Sequence, residues 1–101
     1  MKKAVLSSPL AKRQLRQMGD NIKNARLRRK LSLRAIAQRA GISLNTLVTL
    51  EKGAPGVSIG AIANVLHALG LAEHISLLGQ NDALGRKLQD LELLSKRKAS
   101  R

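Results

Sequence analysis

The sequence has no cysteine among its 101 residues, which excludes disulfide bonds and thiolate metal sites. It also lacks phenylalanine, tyrosine and tryptophan, the side chains on which RRM-type sheets and OB-folds stack single-stranded bases. If the chain binds a polyanion, the expected polyanion is therefore duplex DNA.

Long apolar runs are missing as well. No stretch of eighteen apolar residues occurs, so the chain is not expected to span a membrane. Lys2 and Lys3 precede only three apolar residues before Ser7, too few for a secretory signal. We therefore expect a cytoplasmic protein, and a hydrophobic content of 44% allows one domain with a modest core.

Acidic residues are scarce, with six Asp and Glu against nineteen Lys and Arg and a formal net charge of +13 at pH 7. Such a charge attracts phosphate over long distances. Residues 1–30 contain ten basic groups and one acidic group, and residues 81–101 contain six and three, whereas residues 31–80 contain only three and two. Basic ends therefore flank a nearly neutral middle. For the N-terminal basic arm and the C-terminal tail within these ends, the expectation is disorder, with minor-groove or partner binding as the alternative.

Catalytic and metal-binding patterns are not found. The scattered acidic residues form no pair suited to general acid and base chemistry, and no serine has a recognisable base and orienting group. His67 and His74 are seven residues apart without a nearby cysteine, a poor arrangement for a metal. We expect no enzymatic activity, no metal and no cofactor.

Helix start and stop residues recur along the chain, and no strand pattern accompanies them. Ser8 and Pro9 begin a helix that Gly19 is predicted to interrupt, and a new helix begins at Gly19 or Asp20 with Ile22 and Ala25 turned inward. The later predicted helices span residues 32–41, 43–52, 58–70 and 72–78, followed by one that begins near residue 81 and has Leu84, Leu88, Leu91 and Leu94 on one side. The basic tail from Lys96 onward is predicted to be mobile.

The segment 31–53, LSLRAIAQRAGISLNTLVTLEKG, predicts two short helices joined by a tight turn at Gly41. Ala37 must be small for the helices to approach each other, and Leu47 and Leu50 must hold the second helix across the first. A sequence that is not a pair of helices joined by a turn would rarely meet all these requirements by chance.

The outer face of the second of these helices is the expected DNA-reading surface. At about 100° per residue, Leu47 and Leu50 define the inner side. An asparagine on the outer side pairs with adenine, and threonine, valine or leucine contacts a thymine methyl. The predicted base contacts are Leu44, Asn45, Val48 and Thr49. An ordinary solvated helix face is the alternative, which the motif makes less favoured.

Contacts with the DNA backbone are expected at the helix starts. The Ser43 hydroxyl and the free amides beside it suit a phosphate, because a helix N-terminus has partial positive charge. Lys52 is placed to reach phosphate or guanine. The predicted backbone contacts are Ser32, Arg34, Ser43, Thr46 and Lys52. The run 28–30 is expected to steer DNA generally rather than to bind one phosphate.

Residues 19–71 resemble the Cro/CI repressors, also called the XRE family. The residues that match the family pattern are Arg26, Ala37, Gly41, Ser43, Thr46, Glu51 and Gly53. The resemblance implies an all-α, five-helix lambda-repressor-like helix-turn-helix domain with helical or basic extensions. It also implies a partly buried ion pair between Arg26 and Glu51 with a structural role. Many members have Thr-Gln where this chain has Ser32 and Leu33, so the phosphate contact of that glutamine is in doubt and Arg34 is the candidate replacement.

Residues 69–88, LGLAEHISLLGQNDALGRKL, with the basic end SKRKASR, are similar to HipB-like antitoxins encoded beside HipA-type kinases. This similarity is less specific than the first. It implies operator binding as a dimer, autorepression and contact with a kinase toxin.

These observations predict a basic N-terminal extension over residues 1–18, a helix-turn-helix domain over 19–79, and a C-terminal helix with a basic tail over 80–101. The expected function is a homodimeric, sequence-specific transcriptional repressor, and more specifically the autoregulatory antitoxin of a HipA-type operon. Two half-sites about 34 Å apart are expected for two helices in successive major grooves. The alternatives are a protein-interaction module that inhibits a kinase toxin, and a nonspecific nucleoid-type DNA-binding protein.

Overall fold

The computed structural model describes residues 7–99, and every regular element in that range is a helix, which confirms the predicted all-α class. Residues 1–6 of the predicted N-terminal arm and residues 100–101 of the predicted tail lie outside the described residues. The elements are α1 (Pro9–Arg28), α2 (Leu33–Ala40), α3 (Leu44–Glu51), α4 (Ile59–Ala68), a 3-10 helix (Ala72–Leu77) and α5 (Ala83–Ala99).

The first four α-helices begin in the same way. A serine in extended backbone precedes each one, and its side-chain oxygen accepts a hydrogen bond from the amide three residues later at 3.0 to 3.1 Å. Each such cap satisfies one amide that the helix leaves unpaired, and replacing it by alanine costs about 1 kcal/mol. These serines are Ser8, Ser32, Ser43 and Ser58, the residues from which the sequence predicts helix starts.

The predicted interruption of the first helix at Gly19 is wrong, because α1 continues through that residue. A glycine inside a helix costs only about 1 kcal/mol relative to alanine. Gly19 is also buried where α1 passes close to the backbone that follows α3, and the absence of a side chain permits that approach. The predicted domain boundary at residue 18 therefore falls inside a continuous helix.

The core lies where α1, α2, α3 and α4 meet. Its fully buried large side chains are Ile36, Leu47, Leu50 and Val65. Helix α2 packs on both α3 and α4, and α1 packs on α3, so α3 is supported from two sides. Shortening a buried leucine to alanine costs about 2 to 5 kcal/mol, which makes Leu47 and Leu50 the main anchors of α3.

The C-terminal third contains both predicted helices, one of them of the 3-10 type and the other extending further than predicted. The segment predicted as a fifth short helix is a 3-10 helix, and α5 continues to Ala99, so it includes residues 96–99 of the predicted tail. Residues 83–97 of α5 are exposed apart from Gly85, which is half-buried, and the helix lies outside the packed core. None of the helices in residues 7–99 combines the length and apolar character that a membrane-spanning segment requires.

Candidate nucleic-acid interface

The turn between α2 and α3 determines the angle at which α3 leaves the core. Gly41 ends α2 in the left-handed conformation with φ 68°, which glycine adopts without steric cost. The amide of Ile42 then donates to the carbonyl oxygen of Ala37 at 3.0 Å. A contact from α4 also stabilises the C-terminal end of α2, because Asn64 Nδ2 donates to the carbonyl oxygen of Ala40 at 3.2 Å. The role of Asn64 was not predicted, because a polar residue beside an apolar stripe has no distinctive sequence pattern.

The inner side of α3 is fully enclosed. Leu47 is 0% exposed and Leu50 is 1% exposed, as the helical wheel predicts. Because both side chains fill the core, α3 cannot rotate about its axis without opening a cavity, and the opposite side of the helix has one fixed presentation.

The predicted base-contacting residues lie on that opposite side. Leu44 is 42% exposed and Asn45 is exposed, while Val48 and Thr49 are half-buried. The Thr49 hydroxyl donates to the carbonyl oxygen of Asn45 at 2.7 Å, so its oxygen remains available as an acceptor. Within residues 7–99 the side-chain amide of Asn45 has no hydrogen-bond partner. Both its donor and its acceptor are therefore available to a ligand.

The predicted phosphate-binding residues lie at the starts of α2 and α3 and at the end of α3. Ser43 Oγ accepts from the Thr46 amide at 3.0 Å and lies 2.8 Å from Thr46 Oγ1. Ser32 Oγ accepts from the Ala35 amide at 3.0 Å. Arg34, in the first turn of α2, and Lys52, the C-cap of α3, are both exposed. The two helix starts thus present free amides beside hydroxyl groups.

An ion pair joins α1 to the end of α3. Arg26 Nε lies 2.8 Å from Glu51 Oε2, and Arg26 Nη2 donates to Glu51 Oε1 at 3.0 Å, so the contact is bidentate. Arg26 Nη1 also donates to the carbonyl oxygen of Leu31 at 3.0 Å. Both partners are buried, and no buried side-chain nitrogen or oxygen in the described range lacks a hydrogen-bond partner. Arg26 of α1 is therefore linked both to α3, through Glu51, and to the segment that precedes α2, through Leu31.

The environment of Arg26 favours its charged form. The hydrogen bonds to Glu51 raise the pKa of Arg26 above its ordinary value, with a further contribution from the Glu51 charge, while burial acts in the opposite direction. A bidentate guanidinium–carboxylate pair has a defined geometry. It therefore restricts how far α3 can move relative to α1.

A cleft of about 350 Å³ lies beside the outer face of α3. Lys52 and Val48 line one side of it, and Arg16 and Lys23 of α1 contribute positive charge. Neither Arg16 nor Lys23 is among the DNA contacts predicted from the sequence. Their seven-residue spacing places them two turns apart on one face of α1, and this pattern could have identified them. The remaining lining residues are Asp20, Arg26, Leu33 and Glu51.

The fold and this exposed, rigidly held helix define a helix-turn-helix protein. Residues 17–75 match the helix-turn-helix domain family, more than half of the chain, and the protein therefore belongs to this family. The match indicates DNA binding and transcription regulation and is consistent with the Cro/CI, or XRE, type. It begins within α1 and ends within the 3-10 helix, so α5 lies outside the shared domain. No curated protein matches the chain.

Proposed function

We propose that this protein is a transcriptional repressor that binds a specific operator in duplex DNA as a homodimer. The observation that supports it best is the outer face of α3, where Leu44 and Asn45 are exposed and Val48 and Thr49 are half-buried, while Leu47 and Leu50 on the inner side are fully buried. A rigid helix with one exposed face is the form in which helix-turn-helix proteins enter the major groove.

Base recognition is assigned to Leu44, Asn45, Val48 and Thr49. The unpaired amide of Asn45 suits the major-groove edge of adenine, where the N6 amino group donates and N7 accepts. No other base presents this donor and acceptor pattern in the major groove. The apolar groups of Leu44 and Val48 suit a thymine methyl, and the oxygen of Thr49 accepts a hydrogen bond. Such contacts distinguish sequences rather than adding general affinity.

Backbone binding is assigned to Ser32, Arg34, Ser43, Thr46 and Lys52. The amides at the starts of α2 and α3 favour phosphate because the helix dipole is positive there. Arg16 and Lys23, which line the cleft beside Lys52, extend this basic surface toward α1. In this proposal the ion pair of Arg26 and Glu51 has a structural role and does not contact DNA.

The experiment that tests this function is selection of binding sites from a random duplex library at physiological salt. We expect an enriched, approximately palindromic site whose half-sites are centred about 34 Å apart, and we expect Asn45→Ala to change the enriched sequence. Binding with a steep salt dependence but no enriched sequence would instead support a nonspecific nucleoid-type protein. The control is Lys12→Ala, which should enrich the same sequence as the natural chain. This change removes an exposed charge of α1 that does not line the cleft beside α3.

We also propose the more specific role of autoregulatory antitoxin, which rests on the similarity of residues 69–88 to HipB-like proteins. It is tested by expressing the chain together with the product of the adjacent gene. Copurification with a kinase-like product, and repression of a reporter driven by their shared promoter, are the expected results. A chain that represses its own promoter without binding a kinase would be a plain repressor.

A further inference from the structure

An apolar groove of about 470 Å³ lies on another part of the domain. Its walls come from α1, α4 and the 3-10 helix, and they include Ile22, Ile62 and Leu66. Three large apolar side chains that line it are exposed: Ile59 by 61%, Leu77 by 52% and Leu78 by 67%. No residue of α5 lines the groove, so the protomer's own C-terminal helix leaves it open.

Helix α5 has an apolar face that is equally uncovered. At about 100° per residue, Leu84, Leu88 and Leu91 lie within roughly 60° of one another, whereas Leu93 lies on the opposite side. The three leucines, called the leucine ridge below, are between 58% and 69% exposed. The ridge spans two turns, a length suited to packing along a groove between helices.

Four hydrogen bonds order the connection between the 3-10 helix and α5. The amide of Gln80 donates to the carbonyl oxygen of Leu77 at 3.1 Å. The amide of Asp82 donates to the carbonyl oxygen of Gln80, also at 3.1 Å. Asp82 Oδ1 then accepts from the Gly85 amide at 3.0 Å, and Arg86 Nη2 donates to the carbonyl oxygen of Gln80 at 2.9 Å. The two bonds to the carbonyl oxygen of Gln80, from the Asp82 amide and from Arg86, cross the connection and would have to change if α5 folded back onto its own groove.

We infer that the leucine ridge of one protomer packs into the apolar groove of a second copy of this chain, and that the second copy does the same in return. This inference rests on the proposed homodimer and names its contact surface. A two-fold axis makes every such contact occur twice. The three ridge leucines with Ile59, Leu77 and Leu78 are each between 52% and 69% exposed, so each protomer offers apolar area of the kind that a standard interface, which buries about 800 Å² per partner, removes from water.

The inference is tested by sedimentation equilibrium of the full chain and four single variants. Leu88→Glu changes the ridge and Leu78→Glu changes the groove. The matched controls are Leu93→Glu, on the opposite side of α5, and Leu10→Glu, in α1 away from the groove. All four leucines are at least 52% exposed, so each variant should keep its helical circular dichroism. We expect a dimer for the natural chain and both controls, and at least a tenfold weaker dimer for Leu88→Glu and Leu78→Glu.

Mixing the two disrupted variants gives the sharpest result. The ridge of Leu78→Glu and the groove of Leu88→Glu are both intact, so the mixture should recover part of the dimer that neither variant forms alone. Loss of the dimer in Leu88→Glu but not in Leu78→Glu would overturn the inference in favour of pairing between two α5 helices. Equal dimers in all variants, or a monomeric natural chain, would also overturn it.

Binding to DNA with a single half-site separates this inference from the proposed function. If both are correct, Leu88→Glu keeps the preference of the natural chain for one half-site sequence and loses only the additional affinity for two half-sites. If the half-site preference is absent in the natural chain as well, the proposed function fails, whatever the oligomeric state.

Discussion

Gly19 in α1 and Gly53 after α3 lie backbone against backbone. A Cβ atom on Gly19 would be 2.5 Å from the carbonyl oxygen of Glu51 and 2.9 Å from the amide nitrogen of Gly53. A Cβ atom on Gly53 would be 2.6 Å from the Cα atom of Arg16, and Gly53 has a φ of 78°. The end of α3 is thus held against α1 by a contact that only glycine permits.

Gly19→Ala should lower the free energy of unfolding by about 1 to 3 kcal/mol, because the new methyl group meets backbone that cannot move aside easily. The control is Gly60→Ala in α4, where a Cβ atom would meet nothing within 4 Å. That change should raise stability by up to about 1 kcal/mol through helix propensity. Urea denaturation followed by circular dichroism measures both, and equal effects at the two sites would contradict the close approach.

Glu51→Ala should destabilise the fold by about 3 to 5 kcal/mol, since it leaves the buried charge of Arg26 without its partner. Replacing both residues at once, Arg26→Met with Glu51→Leu, should cost clearly less, because no unpaired charge remains. The control is Glu92→Ala, which breaks an exposed pair with Lys96 at 3.4 Å and should change stability by less than about 0.5 kcal/mol. A double variant as unstable as Glu51→Ala would show that the pair is not the cause.

Asn45→Ala and Lys52→Ala should affect DNA binding in different ways. Loss of the Asn45 amide should relax the preference at one base pair by roughly 1 to 3 kcal/mol, whereas loss of Lys52 should weaken all sequences alike. Titration of the selected operator and of single-base variants at several salt concentrations distinguishes the two effects. The assignments are refuted if Lys52→Ala changes base preference and Asn45→Ala does not.

Arg16→Ala and Lys23→Ala should each reduce the salt dependence of DNA binding if the cleft beside Lys52 lies along the DNA backbone. Removing one cation that binds a phosphate lowers the slope of log affinity against log salt by about 0.9. Arg28→Ala is the matched control on the same helix, because Arg28 lines the apolar groove instead of the cleft. Equal slopes for all three variants would exclude phosphate binding in this cleft.

Much of the fold could be predicted because its determinants are local. A serine that caps a helix acts on an amide three residues away, and a glycine such as Gly41 turns the chain at its own position. The inner positions of Leu47 and Leu50 follow from their spacing of three residues, which places both side chains on one side of a helix. The same helical spacing predicted which side of α3 is exposed, since a helix that is buried on one side has its opposite side toward solvent.

The sequence by itself therefore determined the helical class, the four helix starts capped by serine and the two faces of α3, because these depend on neighbours within one or two turns. Only the tertiary structure decided that α1 runs unbroken through Gly19, that Asn64 binds the end of α2, and that Arg16 and Lys23 lie beside Lys52. It also decided that α5 leaves its leucines uncovered. These features arise from packing between residues far apart in the chain, whose approach no local pattern records.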